Sequence, residues 1–183
     1  MNKNTITKKL AAQDCTPEIF SKFNRYHDVK RCWRKENGKW ILKDIAFIEQ
    51  WDDDKKAEKM KNLSHCISQG GVAIGSFVDS YLIGYANISE GLFGSNNEYV
   101  NMDNLHVSYE LRNKGIGKTL FREICEEARK MGAKKLYISS QSSEETQAFY
   151  KSVGCVEAVE INSKLFEEEP FDCHLEYLLY GTL

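Results

Sequence analysis

The segment from Leu105 to Thr119 places two glycines and several basic side chains at a predicted junction between a strand and a helix. An alternating stretch ends at Val107, and Gly115 and Gly117 open an amphipathic helix. The first N–H groups of a helix have no intrahelical partner and lie at the positive end of its dipole. Because glycines let a ligand approach the backbone, this junction is suited to bind a phosphate or pyrophosphate.

Three motifs compete for this junction. Gly117-Lys118-Thr119 resembles the end of a P-loop, but Arg112 stands where that motif requires its first glycine. The dinucleotide fingerprint G-x-G-x-x-G fails because its third glycine position is Leu120. An Arg-x-x-Gly-x-Gly pattern remains, and its alternative is an ordinary glycine-containing turn that binds nothing.

The pattern Arg112-x-x-Gly115-x-Gly117 resembles the Arg/Gln-x-x-Gly-x-Gly/Ala signature of the GNAT superfamily of N-acetyltransferases. A second segment, Ala148-Phe149-Tyr150-Lys151-Ser152-Val153-Gly154-Cys155, is similar to the end of that family's next helix, often Phe/Leu-Tyr-x-x-x-Gly-Phe. The resemblance covers residues 99–159, extends to the hairpin at 72–88 and is weak before Val72. It implies a fold, a co-substrate and a set of site residues.

The implied co-substrate is acetyl-CoA. No spacing of the histidines and cysteines suggests a metal site, so no metal is expected. The backbone from Arg112 to Gly117 would hold the pyrophosphate, and pantetheine would lie between two diverging strands, with a backbone N–H near Leu105 facing the thioester oxygen. The cofactor-binding residues so implied are Leu105, His106, Val107, Arg112, Asn113, Lys114, Gly115, Ile116, Gly117, Lys118, Ser140 and Ser143. Two positions depart from the family: Ser143 replaces a common asparagine, and Cys155 replaces a phenylalanine.

Amide formation needs a neutral amine and a proton for the departing thiolate. The resemblance implies that Tyr150 donates this proton, although Tyr150 also lies on an apolar helical stripe and is compatible with a core position. Asp103, on the strand beside the expected thioester, is the predicted proton acceptor, with Glu90 and Glu98 as alternatives and a merely polar strand residue as the simpler interpretation. Attack would be direct, because the scattered cysteines offer no Cys/His nucleophile pair.

The elements that must position these residues follow from periodicity and turn signals. We predict strands at 5–10, 29–34, 39–43, 72–77, 81–88, 99–107, 135–139, 155–159 and 173–180, and helices at 17–26, 52–68, 115–131 and 144–153. On strand 99–107, alternation predicts one face with Val100, Met102 and His106, and another with Asp103, Leu105 and Val107. The predicted class is α/β (α+β), a mixed, mostly antiparallel sheet flanked by helices; the resemblance implies that it splays between its fourth and fifth strands.

One domain spanning residues 1–183 is expected, since there are only two prolines and no linker. Within it, 1–71 forms a variable part with an extra hairpin, and 72–183 forms the acetyl-CoA-binding core. The net charge of −2 argues against a nucleic-acid partner, and no apolar run is long enough for a membrane span. Residues 1–6 lack an apolar signal region, and the six cysteines are dispersed, so a cytoplasmic protein with reduced thiols is expected.

The expected partner is an amine acceptor. The acidic runs 52–54 and 167–169 would attract a cationic amine, or else are solvated faces or helix starts. Trp33, Trp40 and Leu92-Phe93 would form either a homodimer surface, an acceptor-pocket wall or ordinary core. Two other functions remain open on the same fold: a non-catalytic acyl-CoA sensor and a protein-interaction module.

Overall fold

The computed structural model describes residues 5–179 of the chain. In that part the strands are β1 (Ile6–Lys9), β2 (Tyr26–Glu36), β3 (Lys39–Gln50), β4 (Val72–Val78), β5 (Tyr81–Ile88), β6 (Tyr99–Val107), β7 (Lys135–Ser140), β8 (Val156–Glu157) and β9 (Cys173–Leu178). The α-helices are α1 (Pro17–Phe20), α2 (Asp53–Ser68), α3 (Ile116–Lys130), α4 (Glu144–Ser152) and α5 (Ser163–Glu168). Tyr180, the predicted end of the last strand, and residues 1–4 of the predicted leaderless N-terminus lie outside the described residues.

The main sheet has seven strands in the order β1-β4-β5-β6-β7-β9-β8. β6 and β7 are parallel, and every other neighbouring pair is antiparallel. The parallel pairing runs only from Tyr99–Lys135 to Asn101–Tyr137 and then stops. β6 and β7 are the fourth and fifth strands across the sheet, so the predicted fold class and the predicted position of the splay are confirmed.

Helices cover both faces of the sheet and create two cores. On one face, α3 contributes Leu120 and Ile124, and α4 contributes Tyr150, to the first core. On the other face, the second core joins residues of α1, α2, β4 and β5 and of the loops after α1 and β3: Phe20, Phe23, Trp51, Leu63, Phe77 and Tyr85 among others. Between residues 5 and 179, no helix is long and apolar enough to cross a membrane.

The β2–β3 hairpin forms a separate two-stranded sheet that bridges the diverging strands. Its turn matches the prediction, since Asn37 and Gly38 both have positive φ values, 50° and 77°. Just before β2, the Asn24 N–H donates to Ser108 Oγ just beyond β6 (3.0 Å). Further along, the Trp33 N–H donates to the Ser142 carbonyl just beyond β7 (2.8 Å). β2 therefore crosses the gap between β6 and β7 at their open ends.

The predicted helix 17–26 is wrong beyond Phe20. Phe20 and Phe23 are both 1% exposed and fill the second core, and the Phe23 N–H closes a turn onto the Phe20 carbonyl at 2.9 Å. Asn24 is then bound to Ser108 and Tyr109 beyond β6. Tertiary contacts thus end the helix at Phe20, although the local sequence pattern favours helix up to residue 26.

The predicted faces of β6 are also wrong, because Asp103 forms a β-bulge. Asn87 of β5 pairs with Asn104, and the neighbouring Ile88 pairs with Met102, leaving Asp103 as the extra residue. Past the bulge, Leu105 packs against the same core as Met102, whereas His106 contacts Trp51 of the second core. One extra residue therefore exchanges the faces of everything that follows it.

The strands predicted at 29–34 and 39–43 are longer in the structure, where they run over Tyr26–Glu36 and Lys39–Gln50, and further differences lie near the C-terminus. The predicted strand 155–159 shortens to Val156–Glu157, and α5 (Ser163–Glu168) has no counterpart in the predicted elements. Asn162 Oδ1 caps this helix by accepting from the Leu165 N–H at 3.3 Å. The acidic run 167–169 is exposed at the end of α5, whereas the run 52–54 starts α2, where Asp52 accepts from the Lys55 N–H at 2.8 Å.

Candidate functional site

A cavity of 780 Å³ opens where β6 and β7 diverge. It is bounded by the end of β6, the turn before α3, one side of α4 and residues from the start of β2. The lining residues are Arg25, His27, Leu105, His106, Val107, Leu111, Arg112, Asn113, Gly115, Gly117, Lys118, Glu145, Thr146, Ala148, Phe149, Tyr150 and Ser152. Most of the predicted cofactor-binding residues and Tyr150 are therefore brought together around one cavity.

The turn before α3 has the backbone shape that the glycines predict. Asn113 (φ 60°) and Gly115 (φ 83°) are left-handed, and α3 begins at the next residue, Ile116. Space around Gly115 is open, since a Cβ built there would meet nothing within 4 Å. Gly117 lies under an aromatic ring, with a built Cβ only 3.1 Å from Phe149 Cε2. The exposed helix start therefore fits an anionic group such as a pyrophosphate.

Arg112 braces this turn rather than pointing freely into solvent. Its Nη2 donates to the Tyr26 carbonyl at 2.6 Å and its Nε to the Val107 carbonyl at 3.3 Å. The guanidinium thus joins the end of β6 to the start of β2. Lys118, exposed on the first turn of α3, is the more accessible cation at the cavity.

Four predicted cofactor residues do not line the cavity. Lys114 is exposed beside it, and Ile116 is buried in the first core. Ser143 caps α4, accepting from the Thr146 N–H at 3.4 Å and lying 2.8 Å from Thr146 Oγ1. Ser140 is buried and donates to the Cys173 carbonyl at 3.3 Å. The hydroxyls of both serines are engaged within the protein.

Tyr150 projects from α4 into both the first core and the cavity, and only 6% of it is exposed. Its ring lies edge-on to Phe149, with the centroids 5.2 Å apart. Burial raises the pKa of the phenol well above its usual range, and Cys155 and Asp172 add to this effect. Tyr150 therefore keeps its proton at neutral pH.

Asp103 does not line the cavity, and its carboxylate is held at the bulge of β6 by several donors. Ser89 Oγ and Asn101 Nδ2 donate to one oxygen at 2.5 and 2.6 Å, and Asn87 Nδ2 donates to the other at 2.8 Å. Desolvation by the surrounding protein raises the pKa of Asp103, and the hydrogen bonds from these donors oppose that shift. Part of the residue is exposed. Its surroundings are those of an anchored carboxylate.

Sequence reasoning missed Arg25, His27 and Glu145, which also line the cavity. Arg25 donates through Nη2 to Glu49 Oε2 at 2.8 Å, and His27 Nε2 lies 3.5 Å from Glu145 Oε2. Arg25 falls in the helix predicted for 17–26, and His27 lies between predicted elements. No local motif marks these residues: the path of β2 across the gap brings Arg25 and His27 to the cavity, and Glu145 lies on the first turn of α4.

The predicted apolar patch is not continuous in the structure. Leu92 packs against the first core, whereas Phe93 stacks on Tyr99 with centroids 5.5 Å apart. Trp33 and Trp40 are half-buried on the hairpin, and the Trp40 indole donates to Glu157 at 3.2 Å. Leu92 and Phe93 are therefore half-buried against different core residues. Across residues 5–179 there is also no group of three or more His, Cys, Asp or Glu side chains placed to hold a metal ion.

The model of the acetyltransferase (GNAT) family matches residues 26–155, which is most of the chain. Among solved structures, a Bacillus anthracis protein assigned as a streptothricin acetyltransferase, in complex with acetyl coenzyme A, superposes with a TM-score of 0.70 at 13% identity, over 98% of this chain and 99% of that one. Nourseothricin acetyltransferase gives a TM-score of 0.68 at 14% identity, over 96% and 98% of the two chains.

An aminoglycoside 6'-N-acetyltransferase complexed with coenzyme A gives a TM-score of 0.55 at 13% identity, over 71% of this chain and 83% of that one. At these identities the structural likenesses show the fold. No curated protein matches the chain. The extent of the family match and the glycine turn beside a splayed sheet lead to the same conclusion: the chain belongs to the acetyltransferase (GNAT) family and is an acetyl-CoA-dependent acetyltransferase.

Proposed function

We propose that this protein transfers the acetyl group of acetyl-CoA to a primary amine of a small molecule or peptide by direct attack of the amine on the thioester. The observation that carries the proposal is the single cavity that joins the turn before α3 to Tyr150, where β6 and β7 part. Neighbouring structures named for streptothricin, nourseothricin and aminoglycoside acetylation support an amine acceptor.

The donor half of the site is built from main-chain groups. N–H groups at the start of α3 would hold the pyrophosphate, with Lys118 beside them. Pairing between β6 and β7 ends at Asn101 and Tyr137, so the facing edges beyond these residues are free for the pantetheine amides. When bound, acetyl-CoA supplies an activated acetyl thioester, and an N–H near Leu105 would stabilise the oxygen that becomes negative during attack.

Tyr150 is the proposed proton donor. As the C–N bond forms and the C–S bond breaks, the departing thiolate takes the phenolic proton, which solvent later restores. The raised pKa of Tyr150 keeps the phenol protonated before the reaction. The dry surroundings that raise it also raise the pKa of the thiol, which helps the transfer.

The cysteines fit direct attack better than an acyl-enzyme. Burial raises the pKa of Cys66 to about 11 and that of Cys125 to about 12, so both remain thiols rather than nucleophilic thiolates. None of the residues that line the cavity is a cysteine.

Asp103 remains the predicted proton acceptor, and a proton would reach it only through water because Asp103 does not line the cavity. Replacing Asp103 with Asn tests this role by the pH–rate profile. Loss of the acidic limb would place Asp103 in the mechanism, whereas an unchanged profile would leave it as an anchor for the bulge.

The function is tested by titrating the protein calorimetrically with acetyl-CoA and with free coenzyme A, followed by thiol-release assays on a panel of amines. We expect micromolar binding of both nucleotides and turnover with at least one primary amine. Binding without turnover on any amine would favour the sensor function. Absence of binding would mean that the turn before α3 serves the fold alone, and would favour an interaction module.

A further inference from the structure

Arg25 is a buried cation with unused hydrogen-bonding capacity in the wall of the cavity. Only 8% of the residue is exposed, and Nη2 is engaged by Glu49. Nε and Nη1 are buried and have no hydrogen-bond partner among the described residues. Burying a charged donor without a hydrogen-bond partner costs free energy. Such groups in a cavity wall therefore indicate a polar ligand that supplies the missing acceptors.

Two neighbours of Arg25 share this property. His27 Nδ1 and the Tyr85 hydroxyl are also buried without partners, with residue exposures of 4% and 1%. Arg25 influences the pKa of both groups electrostatically, which places the three side chains in one neighbourhood. They come from the segment before β2, from β2 and from β5. Arg25 and His27 therefore carry unpaired polar atoms in one region of the cavity wall, whereas Tyr85 belongs to the second core and does not line the cavity.

This region lies on the opposite face of the sheet from α3. The Arg25 guanidinium is 5.9 Å from the centroid of the Trp51 ring, and Trp51 lies 4.9 Å from His106. Trp51 and Tyr85 belong to the second core, whereas α3 and α4 pack on the first. The phosphates of the donor would lie at the start of α3. A ligand group that reaches Arg25 therefore belongs to the acceptor.

The charge here favours an anion. The pKa of His106 is far below its usual range, first because of burial and then because Arg25, Lys59 and Arg112 are close. Glu49 only partly offsets Arg25, since the same Oε2 also accepts from Gln141 Nε2 at 3.1 Å and the side chain is 34% exposed. Glu145 is the other nearby acid, and its side chain is 76% exposed to solvent.

We propose that Arg25 is a specificity-determining residue of the acceptor site and that the acceptor carries a carboxylate in addition to its amine, as an amino acid does. The inference rests on the proposed function and names its substrate class. The free N–H groups of Arg25 donate to the carboxylate, and His27 completes its hydrogen bonds. An amine that lacks the carboxylate would leave both side chains unsatisfied, as they are in the free protein.

The test compares pairs of amines that differ only in the carboxylate: lysine with cadaverine, ornithine with putrescine, and phenylalanine with phenethylamine. For accepted pairs we expect kcat/KM to be higher by about tenfold or more for the carboxylated member, because a site built around a charged hydrogen bond rejects ligands that lack it. Arg25→Gln should bring this ratio close to one and leave the dissociation constant of acetyl-CoA unchanged.

Arg31→Gln is the matched control, since Arg31 lies nearby in the chain on β2, is exposed and pairs with Glu144 at 2.7 Å outside the cavity. It should preserve the ratio. Arg25→Lys keeps the charge but loses the planar donor set, so it should retain folding and still lower the ratio. If Arg25→Gln does not fold, the wild-type ratio and Arg25→Lys still decide the question.

Several results would overturn the inference while leaving the proposed function intact. These are a preference for the decarboxylated amines, binding of acetyl-CoA with acetylation of no carboxylated amine, or an Arg25→Gln variant that loses acetyl-CoA affinity at an unchanged ratio. Loss of acetyl-CoA affinity at an unchanged ratio would assign Arg25 to the acetyl-CoA-binding part of the site. If wild-type protein binds no acetyl-CoA at all, the proposed function itself fails.

Discussion

The two sides of the cavity differ in what they offer a ligand. The turn before α3 offers main-chain N–H groups, and its shape depends on neighbouring residues: left-handed Asn113 and Gly115, and Gly117 under the ring of Phe149. The opposite wall offers side chains, among them Arg25 and His27, which lie far along the chain from the turn before α3. A main-chain site is encoded by a short stretch of sequence, whereas a side-chain site is encoded by the fold that assembles it.

The largest expected effect is at Tyr150, where the two sides meet. Tyr150→Phe should lower kcat by about a hundredfold, the usual order for loss of a general acid, because the thiolate then leaves without its proton. The acetyl-CoA dissociation constant should change little, since the ring that packs in the first core is retained. Stopped-flow or steady-state thiol release measures the first quantity, and calorimetry measures the second.

Tyr177→Phe is the control for this change. Tyr177 packs half-buried on Phe121, with centroids 5.1 Å apart, and does not line the cavity. Its kcat should stay near that of the wild type. A Tyr150→Phe enzyme of normal kcat would remove Tyr150 from the chemistry and make it a core residue only.

Gly117→Ala should weaken binding at the main-chain side of the cavity and leave the side-chain wall unchanged. The new Cβ would lie 3.1 Å from Phe149 Cε2, so the ring must shift toward the space in which the donor lies. We expect the acetyl-CoA dissociation constant to rise about tenfold, equivalent to about 1.4 kcal/mol. The preference between carboxylated and decarboxylated amines should persist.

Gly115→Ala separates crowding from backbone strain in the same turn. Its Cβ would meet nothing within 4 Å, but φ of 83° is unfavourable for alanine. That variant should lose about 1 kcal/mol of folding free energy by thermal unfolding. Gly117→Ala should not lose folding free energy, because residue 117 lies inside α3 and alanine favours helix. Equal acetyl-CoA affinity in wild type and Gly117→Ala would show that Phe149 moves without cost.

Elements defined by local chemistry could be predicted. The Asn37-Gly38 turn, the acidic start of α2 and the turn before α3 each depend on residues close in sequence, and the structure has all three. The helix expected after Pro17 failed at Phe20 because the second core and Ser108 beyond β6 draw the chain out of helical geometry. Long-range contacts there outweigh local propensity.

The same distinction separates the parts of the site. Gly115 and Tyr150 were visible through motifs, and they line the cavity. Arg25 and His27 carry no motif, and their place depends on β2 crossing from Ser108 to Ser142. The bulge at Asp103 was equally invisible, because a single inserted residue leaves the alternation of the sequence intact on either side.

The smallest expected effect concerns Asp172, whose neighbours again come from distant segments. Burial raises its pKa to about 6, the Ser139 hydroxyl at 3.1 Å opposes the shift, and Glu169 and Glu49 add to it. A carboxyl whose folded pKa is raised stabilises the fold below its unfolded pKa, near 4, and that stability is lost as the pH rises through 6.

At pH 7.5, Asp172→Asn should therefore have a free energy of unfolding higher than that of the wild type by about 1 kcal/mol, after allowance for partial exposure. Its melting temperature should be higher by roughly 2–4 °C. The difference should vanish near pH 4, where residue 172 is uncharged in the folded wild type as well as in the variant.

Asp53→Asn is the control of opposite sign. The Asp53 side chain is 98% exposed on the first turn of α2, so losing its charge should slightly destabilise the fold at pH 7.5. Thermal melts at both pH values measure these effects. Equal melting of Asp172→Asn and wild type at pH 7.5 would mean that water reaches the carboxylate of Asp172 more freely than its burial indicates.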